Sequence, residues 1–167
     1  MKRIARFEKV SFQQFAAAYD GKSEEEVQRL YEELKLPLRA TSGSAGYDVF
    51  CPEDLTIQPG ETILIPTGIR VWMEPEWVLM LYPRSGLGFK YRLQLNNTVG
   101  IIDSDYYYSD NEGHIFAKIM NDSNENKIIY LKKGEGFMQG LFMEYGITED
   151  DHAQGIRNGG FGSTDNK

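Results

Sequence analysis

The sequence predicts an all-β domain, an antiparallel sandwich or barrel, with a short helical insertion near its N-terminus. Three observations point there. From Leu36 onward the chain breaks into short β-rich runs roughly 8 to 12 residues apart. Turn residues separate these runs: Pro52, Pro59-Gly60, Pro66, Pro75, Pro83 and Gly134. Helical periodicity is confined to residues 11 to 35, and none follows Leu36, which excludes Rossmann and P-loop cores.

Taken in order, IARFEKV (4 to 10) alternates as a short strand. Ser11 and Gln14 form a capping box, with Phe12, Phe15 and Tyr19 on one stripe and Gly21 as the stop. Ser23 and Glu26 form a second box. Val27, Leu30, Tyr31 and Leu34 then follow the i, i+3, i+4, i+7 pattern. This helical pair reads as an ornament that packs its apolar face on the main body. Strands follow at YDVFC, LTIQ, ETILI, GIRVWM, WVLMLY, LQLNN, HIFAKIM, KIIYL and FMQGLFMEY. From Asp150 the chain is polar, carries Gly155, Gly159, Gly160 and Gly162, and reads as a mobile tail.

At 167 residues the chain suits one domain. With 41% hydrophobic residues and a mean hydropathy of −0.47, it has the profile of a soluble protein. MKRIARFEKV lacks a secretory h-region, so the expected location is the cytoplasm. Cys51 alone can build neither an internal disulfide nor a Cys-based zinc site, and His114 and His152 need carboxylate help to hold zinc. A net charge of −7 argues against general binding to nucleic acid or anionic membranes, so an anionic ligand needs a local cluster of donors.

Three segments could carry chemistry. Pro83-Arg84-Ser85-Gly86, directly after WVLMLY, is either a plain surface turn or a set of donors for phosphate oxygens. In Asn96 to Tyr106, two β-like pieces meet at Gly100. Asp103 and Asp105 there either form an Asx turn or supply a general base. The tail RNGGFGSTDNK is either a solubilising end or a lid, its Arg157 and Phe161 suited to phosphate and to a nucleobase.

Five stretches, AGYDVFC (45 to 51), PRSGLGFK (83 to 90), NTVGIIDSDYY (97 to 107), GEGFMQGLF (134 to 142) and RNGGFGSTD (157 to 165), together resemble the ordered motifs of the homotrimeric dUTPases. The resemblance runs from about Leu36 to Thr164 and leaves residues 11 to 35 without a counterpart. It implies a jelly-roll-like β-barrel over residues 1 to 149 and a flexible lid over 150 to 167. It implies hydrolysis of dUTP to dUMP and pyrophosphate, keeping uracil out of DNA and supplying dUMP for dTMP synthesis. Active sites are then shared between three subunits, and Mg2+ is held chiefly by the triphosphate and water.

By the same resemblance, Asp103 is the base, while Asn97 and the main chain of Gly100, Ile101 and Ile102 read uracil inside a β-hairpin. Tyr106 packs on the deoxyribose, and Arg84, Ser85, Gly86 and Gln139 hold phosphates. Arg157, Phe161, Gly162, Ser163 and Thr164 form the lid, and Asp48 supports the site from behind. The chain departs from the family pattern in a lengthened loop (107 to 113), in Gly136 where a cation is common, and in Asp165. Two other functions remain open. A dCTP deaminase would need a carboxylate near Lys118. A regulatory nucleotide-binding protein would offer residues 11 to 35 to a protein partner.

Overall fold

Alternation along each run sends every second side chain to one core. In the computed structural model, which describes residues 2–159, β5 (Ile69–Met73) shows this plainly, with Ile69, Val71 and Met73 buried. It pairs antiparallel with β1 (Ala5–Lys9). A four-stranded sheet follows the order β2 (Tyr47–Phe50), β11 (Gly136–Glu144), β6 (Trp77–Pro83), β8 (Gly100–Ile102). A three-stranded sheet places β9 (Phe116–Asn121) between β4 (Thr62–Pro66) and β7 (Leu93–Leu95), and β3 (Leu55–Ile57) pairs with β10 (Ile129–Leu131). All these pairings are antiparallel. Among the described residues they make four sheets around a shared core rather than one closed barrel.

Ile57, Leu79, Ile119, Ile129 and Phe137 fill the middle of that core. Phe137 and Met138 are consecutive yet both fully buried, because the β11–β2 register shifts between Gly136 and Met138. A bulge of this kind turns an extra side chain inward.

The insertion forms α1 (Phe12–Ala16) and α2 (Glu24–Glu32). The first helix stops earlier than its apolar stripe suggested, and loose turns at Ala18 and Tyr19 carry the chain on to Gly21 (φ 83°). The Ser23–Glu26 box is complete. At Ser11 only half of the expected box forms. Its hydroxyl accepts from the Gln14 N–H, but its own N–H donates to Glu112 Oε2 at 2.7 Å. Val10, Phe15 and Val27 form a small apolar core with the insertion's own side chains, and Phe15 meets the body at Gly68 and His114. Gly68 (φ 70°) permits the contact, since a Cβ there would lie 2.3 Å from Leu34 Cδ1.

One expectation fails. A helix, α3 (Ser85–Tyr91), does follow Leu36, and a 3-10 helix spans Ser104–Tyr108. SGLGFKY covers less than two turns and carries two glycines, so no 3.6-residue period can register in it. Among the described residues, no helix is long and apolar enough to cross a membrane.

Candidate active site

Between β7 and β8 the chain reverses at Thr98, which sits in the left-handed region at φ 68°. The Thr98 N–H donates to Leu95 O at 2.9 Å and the Val99 N–H to Asn97 O at 2.7 Å. The expected hairpin ladder is not formed between these two limbs. The first limb pairs with β9 and the second with β6. Each limb is thus fixed from outside, and a pocket of about 360 Å3 opens between them, lined by Asn97, Gly100, Ile101 and Ile102. Leu81, Leu95, Ala117 and Met138 add apolar walls. This volume falls at the small-ligand end of ordinary binding pockets. Gly100 lies close against β6, since a Cβ there would be 3.0 Å from Leu81 Cβ, and one of the two would have to give by a few tenths of an ångström.

Tyr106 enters the same pocket from the 3-10 helix and is only 7% exposed. Its hydroxyl donates to His114 O and accepts from Asn111 Nδ2, both at 2.8 Å. Burial pushes its phenol above the ordinary range, so the ring stays neutral. Behind it, burial pushes the His114 imidazole down to about 4, and its Nε2 accepts from the Gly68 N–H at 2.9 Å.

Asp103 is the N-cap residue of the 3-10 helix, its carbonyl accepting from the Tyr106 N–H at 3.2 Å, but its carboxylate makes no capping bond, so the Asx-turn alternative is not the one adopted. Its carboxylate stands at the pocket mouth, 46% exposed. Arg157 spans both acids: Nη2 donates to Asp103 Oδ2, and Nε donates to Asp105 Oδ1 at 2.9 Å. Phe161, Gly162, Ser163 and Thr164 lie outside the described residues.

The other expected site residues gather elsewhere. Arg84, capping α3 with its backbone, places Nε 3.3 Å from Asp48 Oδ1 and donates from Nη1 to Gly136 O at 3.3 Å. A Cβ at Gly136 would meet that Nη1 at 2.8 Å, so the glycine found where a cation is common lets the guanidinium lie along the strand. Gln139 donates weakly to Pro83 O at 3.4 Å. With Ser85 and Tyr82 these residues line an open cleft of about 670 Å3, and Gly86 has clear space around it.

Slot and cleft lie on opposite faces of one sheet. On β6, Leu81 faces the slot and Tyr82 the cleft. On β11, Met138 faces the slot and Gln139 the cleft. The candidate residues therefore gather in two separate places within one chain. Sequence reasoning missed Asn111 and His114, which hold Tyr106 from behind. The only signal for them was the lengthened loop 107 to 113. Lys118 lines the slot as well.

An antiparallel β-fold with a base-sized slot, a carboxylate at its mouth and a separate guanidinium–hydroxyl cluster has the makeup of a nucleotide phosphohydrolase. Residues 32–165 match the dUTPase family, and the chain belongs to it. It is 44% identical over 134 residues to the deoxyuridine 5'-triphosphate nucleotidohydrolase of Lactococcus lactis, covering 78% of this chain and 88% of that protein. The Hahella chejuensis protein of the same name is 42% identical over 149 residues, covering 83% and 92%. Among solved structures, the dUTPase of Streptococcus mutans superposes with a TM-score of 0.65 at 36% identity, over 86% of this chain and 98% of that one. A mutant dUTPase of phage phi11 of S. aureus, whose structure details the coordination of a structural Mg(II) ion, shares the fold (TM-score 0.64, 18% identity, 92% and 99% covered).

Proposed function

We propose that this chain, as a dUTPase, hydrolyses dUTP to dUMP and pyrophosphate by attack of water at the α-phosphorus. The observation that carries the reading is the convergence of Asn97, Gly100 to Ile102, Asp103 and Tyr106 on one slot in a chain of this family.

Uracil enters the slot and is read by main-chain donors and acceptors that two ladders hold still. Cytosine would leave a buried polar group unpaired, at a cost of about 1–3 kcal/mol. A thymine methyl would meet backbone. Tyr106 lies against the sugar and leaves no room for a 2′-hydroxyl. Asp103 orients the attacking water and takes its proton. Arg157 gives up the two carboxylates for phosphate oxygens as the tail, residues 150 to 167, closes as a lid over the body formed by residues 1 to 149. Phe161 then stacks on the base, worth about 1–3 kcal/mol.

Arg84, Ser85, Gly86 and Gln139 hold the phosphates, with Asp48 keeping the Arg84 guanidinium in place. Because this cluster lies across the sheet from the slot, a complete site takes its slot from one copy and its cleft from another. A homotrimer with shared sites satisfies that requirement. Among the described residues, no three acids, histidines or cysteines converge as a cage. Mg2+ would be carried by the substrate's phosphates and water, as the resemblance implies. When bound, the ion neutralises charge on the phosphate oxygens. Hydrolysis of a free nucleotide is consistent with the cytoplasmic location expected from the sequence.

Turnover in 18O-labelled water with dUTP, dTTP, UTP and dCTP tests the reading. Hydrolysis of dUTP far above the other three is expected, with the label in dUMP. Label in the pyrophosphate, or ammonia released from dCTP, would overturn it.

A further inference from the structure

After the 3-10 helix the lengthened loop passes through two successive left-handed residues, Glu112 (φ 59°) and Gly113 (φ 71°). Gly113 has no substitute, since a Cβ would sit 2.8 Å from both Tyr106 O and Tyr107 Cα. Glu112 has a side chain in the same strained region and needs anchoring. Its carboxylate accepts from the Ser11 N–H at 2.7 Å and from the Ser11 hydroxyl at 2.6 Å, and its N–H donates to Ser109 O at 2.8 Å. The bond from the Ser11 N–H replaces half of that residue's own capping box, so the head of the insertion and the loop complete each other.

Asn111 is thereby locked. Its Oδ1 accepts from the Gly113 N–H at 3.2 Å, and its carbonyl accepts from the His114 N–H at 3.0 Å. Its remaining donor, Nδ2, reaches the Tyr106 hydroxyl at 2.8 Å. That hydroxyl also donates to His114 O, so the far end of the ring is held from two sides. On the neighbouring residue, Tyr107 lies 3.6 Å under the Arg70 guanidinium and donates to Glu8 Oε2 at 2.7 Å, which pins the helix to β1 and β5.

We propose that Asn111 is a positioning residue for Tyr106 in sugar discrimination, and that Glu112 holds it there through Ser11, so that the helical insertion braces the specificity slot. The inference rests on Tyr106 being the reader of the deoxyribose. A ring excludes a single hydroxyl only if it cannot pivot, and its free end is where pivoting would begin. Asn111 touches no substrate and acts through the phenol.

Steady-state kinetics of the full chain on dUTP and UTP, with melting curves in parallel, test this. Asn111→Ala is expected to lower the dUTP-over-UTP ratio of kcat/KM about 2- to 10-fold, the range of one hydrogen bond. The change should fall on KM, with kcat nearly unchanged. Tyr106→Phe, which removes both this bond and the one to His114 O, should lower the ratio at least as much, and Asn111→Ala added to it should lower the ratio no further, since the shared bond is already gone. Glu112→Ala should act in the same direction, and Glu112→Gln, which keeps an acceptor for Ser11, should recover the wild-type ratio. If Tyr106→Ala relaxes the ratio while Asn111→Ala does not, the brace is wrong and the sugar reading stands. If Tyr106→Ala itself leaves the ratio unchanged, the sugar reading fails and the brace falls with it. A loss of melting temperature and kcat without any change in the ratio would also overturn the brace.

Discussion

The slot and the cleft solve different problems with different materials. The slot is built from main chain whose limbs are each laddered to an outside strand, so its donors and acceptors cannot rotate. The cleft depends on side chains: a guanidinium ion-paired with Asp48, an amide and a hydroxyl, arranged around an open surface. A planar base is recognised by fixed groups, where a misplaced donor is an unpaired one. Under the proposed function, phosphate oxygens accumulating charge meet preplaced cations and donors, gathered locally on a chain whose net charge is −7. The sheet between them keeps the two materials apart within one subunit.

The sharpest way to break this comparison is Asp103→Asn. Turnover should fall about 10²- to 10⁴-fold, the usual worth of a general base, while calorimetry with a non-hydrolysable dUTP analogue shows binding retained. Near wild-type turnover would remove Asp103 from the chemistry. Next in size is an effect confined to the wall behind the slot. The folded chain keeps His114 neutral with its pKa near 4, whereas the unfolded chain protonates it at about 6.5. Between those values the unfolded state binds the extra proton, so stability is lost as pH falls from about 6.5 to about 4, by about 3 kcal/mol in all. Denaturant unfolding at pH 7 and pH 4 should show a smaller loss in His114→Asn than in wild type. Equal losses would contradict a buried neutral imidazole.

Arg84→Ala should weaken dUTP binding about 10- to 100-fold, as loss of a charge-assisted bond does, while the preference for dUTP over dCTP stays as it was. A changed base preference would mean that the two regions are not separate. The smallest effect is steric. Tyr106→Ala should let UTP compete several-fold better, read as a lower inhibition constant against dUTP hydrolysis.

The strands were legible because they are short β-rich runs, many of them set off by proline or glycine, and the second helix because its capping box stands whole. The helix α3 was not, since a glycine-rich stretch of under two turns has no period to read. Asp103, Asn97 and Tyr106 could be singled out by motif, and their convergence on one slot follows from register. What no local pattern carries is partnership across the chain. Ser11 gives its N–H to Glu112, 101 positions away, and Asn111 meets Tyr106 only because of that turn. The split of the site across a sheet was equally hidden, as it depends on which neighbours of β6 and β11 face which side.

Co-refolding of two variants that are each impaired at dUTP concentrations well below saturation tests the division between slot and cleft most directly. Arg84→Ala chains keep an intact slot and Asp103→Asn chains an intact cleft. If each site joins the slot of one subunit to the cleft of another, an equal mixture restores about a quarter of wild-type activity, because both contributions are intact in about one site in four. A mixture no more active than its two components would show that a single chain builds the whole site.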